Sequence, residues 1–166
     1  MKPVPYKEPL FTFAEVLDAT GASDNWLRTF IHRDKDSRLG TKHRTGRLLF
    51  SLKDIAAIGL LHRLNANLRV TPAAAWEVVD AAEAILAKKS EPKDEVIRVG
   101  FDVEGGVLIW TIEDGVVVTW NDKADTNQFA AFTANQDVHI VVPLAALFAP
   151  VGKAVAIAQR WPEDAA

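Results

Sequence analysis

Two capped amphipathic segments separated by one glycine constrain this chain more than any other feature. Thr12-Phe13-Ala14-Glu15 has the spacing of a capping box, a Thr N-cap with Glu three residues on. Phe13, Val16 and Leu17 then recur at helical spacing, and Gly21 suits a helix C-terminus. Ser23 is a second N-cap, and Trp26, Leu27, Phe30 and Ile31 mark a helix over about 24–33, with Asp24 in its first turn. Helix, tight glycine turn, helix is the outline of a helix-turn-helix.

The next residues change character. Residues 35–50 are polar and basic, contain Gly40 and Gly46, and end in Leu48-Leu49-Phe50, which reads as a short hairpin with a basic tip. Ser51-Leu52-Lys53-Asp54 starts a third helix, striped by Ile55, Ile58, Leu61 and Leu64. Thr71-Pro72 opens a fourth, with Thr at the N-cap and Pro at the first helical position, running to Lys88-Lys89. Residues 1–10 hold three of the eight prolines and read as an extended arm, and residues 90–95 read as a charged linker.

Beyond the linker the period is that of strands: 96–103, Val107 to Ile112, Val116 to Trp120 and Val138 to Val142, with Asp114-Gly115 as a hairpin turn. Pro143 to Phe148 reads as a short helix, and Lys153 to Trp161 fits helix or strand. The expected class is therefore α+β. A mostly helical half at 11–89 precedes a small β-rich half at 96–166 that carries one or two C-terminal helices.

Charge divides the same way. Residues 1–90 hold 14 Lys and Arg against 10 Asp and Glu, whereas residues 91–166 hold 5 against 12. Eight cations fall within residues 28–53, opposed only by Asp34 and Asp36. A concentrated basic segment is the footprint of a surface that meets phosphates. The chain has no cysteine, which removes disulfides, thiolate metal sites and cysteine nucleophiles together. No apolar run approaches the roughly 18 residues of a membrane span, and no signal-peptide core stands at the N-terminus, so a cytoplasmic protein without membrane contact is expected.

With those elements in order, residues 11–86 resemble the DNA-binding domain of MerR-type winged-helix regulators. The counterparts are Phe13-Ala14-Glu15-Val16, Thr20-Gly21-Ala22-Ser23, Leu27-Arg28-Thr29-Phe30, Thr45-Gly46-Arg47-Leu48-Leu49-Phe50 and Ser51-Leu52-Lys53-Asp54. The family's second-helix Tyr is Thr29 here, its wing Arg position is Leu48, and its long dimerisation helix and cysteine metal site have no counterpart. The resemblance implies a winged helix-turn-helix that binds double-stranded DNA, with 24–33 in the major groove and the 35–50 wing on the flanking backbone or minor groove.

The candidate DNA-binding residues are Asn25, Arg28, Thr29, His32 and Arg33 on the second helix, and Arg38, Lys42, His43, Arg44 and Arg47 on the wing. Asn25 and Thr29 are assigned to base edges, since Asn pairs with adenine in the major groove. The resemblance puts Arg28 on phosphate or base. The competing role for Arg28 is a surface pair with Asp24 at i,i+4, worth a few tenths of a kcal/mol. Trp26 and Trp76 read as core aromatics, and His62 as a flank or core residue.

In the acidic half, Asp102, Glu104, Asp122 and Asp125 read as solvated carboxylates, and no nucleophile or base accompanies them, so no enzyme, metal or cofactor is expected. Trp110, Trp120, Phe129, Phe132, Phe148 and Trp161 give residues 96–166 the aromatic area of a dimerisation surface, or of a domain for a protein or small-molecule partner. A transcriptional regulator acting as a homodimer is the leading expectation. The others are a phage-type DNA-packaging small subunit, an excisionase-like bending factor, and an antitoxin or adaptor whose acidic half binds a protein.

Overall fold

The computed structural model describes residues 4–34, 38–89, 106–111, 115–120 and 139–161. The linker at 90–95, the strand at 96–103 and the polar loop at 121–137 lie outside the described residues. The order is α1 (Phe13–Thr20), α2 (Asp24–Arg33), β1 (Thr41–Lys42), β2 (Leu48–Leu49), α3 (Leu52–Leu61), a π-helical segment (His62–Asn67) and α4 (Pro72–Lys89). Then come β3 (Gly106–Thr111), β4 (Gly115–Trp120), β5 (His139–Pro143) and α5 (Leu144–Ala158). The combination of helices and small antiparallel sheets is α+β.

Local chemistry sets the helix starts. The Thr12 hydroxyl accepts from the Glu15 amide, and Glu15 Oε2 accepts from the Thr12 amide and hydroxyl, both at 2.7 Å. Ser51 and Asp54 make the same reciprocal box on α3, and it satisfies the buried Ser51 hydroxyl. Gly21 closes α1 in the left-handed conformation, and Ser23 accepts from the Trp26 amide to start α2.

β1 and β2 pair antiparallel, Thr41 with Leu49 and Lys42 with Leu48. Between them, His43 and Gly46 close a turn (Gly46 amide to His43 carbonyl, 2.8 Å) in which Gly46 has φ +81°. Only glycine takes that conformation without strain, so the tip sequence fixes the hairpin.

The proline-containing arm is packed onto the fold. Phe11 and Phe50 exchange backbone hydrogen bonds, each 2.9 Å, and the Lys53 amide donates to the Tyr6 carbonyl at 3.0 Å. Val4 is buried, and burial raises the Tyr6 phenol above its usual range, with Glu83 and Asp54 adding to the effect.

α3 is the centre of the core. Leu52, Ile55, Ala57, Ile58, Gly59, Leu60 and Leu61 are all buried, a wider apolar surface than the stripe its spacing predicts. One side is covered by α5, whose Val151, Ala154, Val155 and Ala158 join the same core. α5 is one continuous helix where the sequence suggests two pieces, and it carries Pro150 internally. The two helices approach closely there: a Cβ on Gly59 would lie 2.7 Å from Pro150 Cγ. Trp161, just past α5, stacks at 5.1 Å on Phe11 and donates to Glu15 Oε1 at 2.8 Å. The chain's last helix thus packs back onto the helical half. β4, β3 and β5 form an antiparallel sheet in that order, with Ile109 opposite Val117 on one side and Val141 on the other.

After α3 the helix widens. Trp26 of α2 reaches it, donating from Nε1 to Asn65 Oδ1 at 3.1 Å, while Asn65 Nδ2 donates to the Val70 carbonyl. The half-buried His62 ring meets the Trp26 ring at 4.8 Å. Burial holds the His62 imidazole below its usual pKa, and Arg63 lowers it further.

Two outcomes follow from this packing. Gly59→Ala should destabilise the protein by about 1–3 kcal/mol, the usual range for overpacking a filled core, read as a lowered urea midpoint. The stability tied to neutral His62 is complete above the unfolded value near 6.5 and is lost as pH falls through the lowered folded value. Urea midpoints at about pH 7.5 and 5.5 should therefore differ less in His62→Asn than in the parent, and an identical difference would refute the assignment.

Candidate nucleic-acid interface

α2 buries Leu27 and Phe30 and half-buries Trp26 and Ile31, so all four expected apolar anchors face inward. Asp24, Asn25, Arg28, His32 and Arg33 are exposed, and Thr29 is half-buried. On the hairpin, Lys42, His43, Arg44 and Arg47 are all exposed.

These residues fall into two groups on either side of α2. Arg28 and His32 share a groove of about 810 Å³ with Arg47 of the hairpin, floored by Phe13, Ile31 and Leu48. Asn25, Thr29 and Arg33 line a second groove, of about 660 Å³, against Trp26 and Trp76. Both tryptophans are half-buried, packed against the core, and also form a wall of this groove.

Arg38 stands apart from the other cations. Its guanidinium lies 3.8 Å over the Trp76 ring and pairs with Asp80, so it ties the chain after α2 to α4. Lys35, the expected start of the wing, lies outside the described residues, and the hairpin itself begins at Thr41. His43 is engaged locally, with Nδ1 3.1 Å from the Thr45 hydroxyl in the turn.

Arg28 is held on two sides. Nε donates to Asp24 Oδ1 at 2.7 Å, and the guanidinium carbon lies 4.5 Å over the Phe13 ring. The Asp24 hydrogen bond raises the Arg28 pKa. The i,i+4 spacing announces Asp24 in the sequence. Nothing announces Phe13, which sits 15 residues away and meets Arg28 only through the α1–α2 packing.

The charge balance separates paired from unpaired cations. Arg28, Arg38 and Lys53 have carboxylate partners in Asp24, Asp80 and Glu83. Among the described residues, Arg33, Lys42, Arg44 and Arg47 have none. Four uncompensated guanidinium or ammonium groups on one helix and the adjacent hairpin create a field that favours a polyanion. No three His, Asp or Glu among the described residues converge as a metal site, and no described helix is long and apolar enough to cross a membrane.

Comparison with protein-family models, with curated proteins and with solved structures finds no match for this chain.

Proposed function

We propose that this chain is a sequence-specific, double-stranded DNA-binding transcriptional regulator with a MerR-like winged helix-turn-helix. α2 enters the major groove and the β1–β2 hairpin serves as the wing on the flanking backbone or minor groove. The observation that carries this reading is the set of four unpaired cations, Arg33, Lys42, Arg44 and Arg47, on α2 and the hairpin beside it.

The dimensions are compatible. A ten-residue helix is about 15 Å long and about 10–12 Å across with its side chains, and the B-DNA major groove is about 12 Å wide. The buried face of α2 is apolar and its outer face is polar, the division that groove entry needs. The exposed cations supply phosphate contacts, which set register and affinity, while Asn25 and Thr29 remain assigned to base edges. One helix reads too few base pairs to specify a site in a genome, so a homodimer on two half-sites is the proposed form.

The test is binding of the purified protein to labelled genomic duplexes at two salt concentrations. With four phosphate contacts per protomer in the proposed homodimer, affinity should fall about 10⁴-fold between 50 and 200 mM salt. Arg44→Ala and Arg47→Ala should each weaken binding to all sequences and lower the salt slope by about 2, one contact per protomer, with an unchanged melting temperature. No complex at the lower salt, or unchanged binding in both variants, would remove the hairpin from the interface.

A further inference from the structure

Arg28 is held by two side-chain contacts, and its geometry bears on what it reads. Nε is committed to Asp24 Oδ1 at 2.7 Å, and the guanidinium carbon lies 4.5 Å over the Phe13 ring. The side chain is nevertheless 65% exposed. Its Nη nitrogens take no hydrogen bond among the described residues. From these contacts, and resting on the DNA-binding reading above, we infer that Arg28 is a pre-oriented guanine reader, with Asp24 and Phe13 as its positioning residues.

Three physical points carry this. A guanine presents two acceptors, O6 and N7, in the major groove, and a guanidinium answers them with two parallel N–H donors. That bidentate match depends on the plane and direction of the guanidinium, which an unrestrained arginine must fix at an entropic cost on binding. Here the aromatic ring and the carboxylate together restrain the guanidinium before any DNA arrives.

The third point separates base from phosphate. A cation already paired with a carboxylate is a poor phosphate anchor, because Asp24 repels the same phosphate that Arg28 attracts. The unpaired Arg33, Lys42, Arg44 and Arg47 suit that task better. At a base edge the local requirement is donor geometry, and a neighbouring carboxylate that fixes it is an advantage. The exposed pair also contributes little to stability, as such pairs generally do, so the arrangement is better explained by orientation than by folding.

The experiment is selection of bound sequences from a duplex pool with randomised central positions, run with the full chain, Arg28→Ala, Arg28→Lys and Asp24→Ala. Thermal melts check that each variant folds. The parent should enrich a site with guanine at one fixed position in each half-site. Arg28→Ala and Arg28→Lys should lose that preference by about 10-fold or more while keeping preferences elsewhere, since one good bidentate pair discriminates on that scale. Asp24→Ala should weaken the same position without losing overall affinity.

An enriched site whose base preferences are unchanged in the Arg28 variants overturns the inference and leaves DNA binding standing. Uniformly weaker binding in Arg28→Ala, with no change in preference, makes Arg28 a phosphate contact and also overturns it. A parent protein that enriches no sequence removes the proposed function and this inference together.

Discussion

The burial of α3 is the constraint on which the other elements depend. A helix with Leu52, Ile55, Ala57, Ile58, Gly59, Leu60 and Leu61 all out of water needs cover on every side. α1, α4 and α5 supply it, and α5 comes close enough that a methyl group at position 59 would collide with Pro150. The glycine also lets a helix with an internal proline pack there. From this centre the fold extends outward through few contacts: Phe11 with Phe50, Trp161 with Glu15, and Tyr6 with Lys53.

Those contacts decide what α2 presents. Phe30 and Leu27 anchor it to the core, and Trp26 ties it to the segment after α3 through Asn65. The hairpin is fixed at its base, where Phe50 pairs with Phe11, while its tip from Thr41 to Arg47 is wholly exposed. The result is a hairpin anchored at its base that carries exposed cations at its tip. In the proposed DNA complex, side-chain ordering at the tip is the main cost, since the backbone that carries the tip is already set by Gly46.

Much of this was legible in the sequence because its causes are local. The Thr12–Glu15 capping box, the Ser51 helix start, the turn at Gly21, the Ser23 cap, the hairpin tip at Gly46 and the Thr71-Pro72 start each depend on residues within a turn of one another. What was not legible depends on distant partners. The arm at 4–11 has the composition of a free segment, yet Phe50 and Lys53 hold its backbone. Residues 143–148 read as a short helix and 153–161 as helix or strand, whereas α5 is continuous and packs its Pro150 against Gly59, 91 positions earlier. At the candidate interface the outward residues of α2 were readable from helical spacing. The fate of Arg38 was not, because Trp76 and Asp80 come to it from α4. The expected division of the chain at 90–95 lies outside the described residues, and α5 crosses it to complete the core of the first half.

The separation between the core and the cationic surface gives the functional reading its experimental footing. Arg33, Lys42, Arg44 and Arg47 have no ion-pair partner among the described residues, so replacing one of them removes charge without orphaning a buried group. Arg38 is the contrasting case, since its removal would strip both a ring contact and an ion pair from the α2–α4 connection. Loss of binding in an Arg38 variant would therefore mix folding with recognition. Loss of binding at the hairpin cations would report on the partner, because none of them has an ion-pair partner among the described residues.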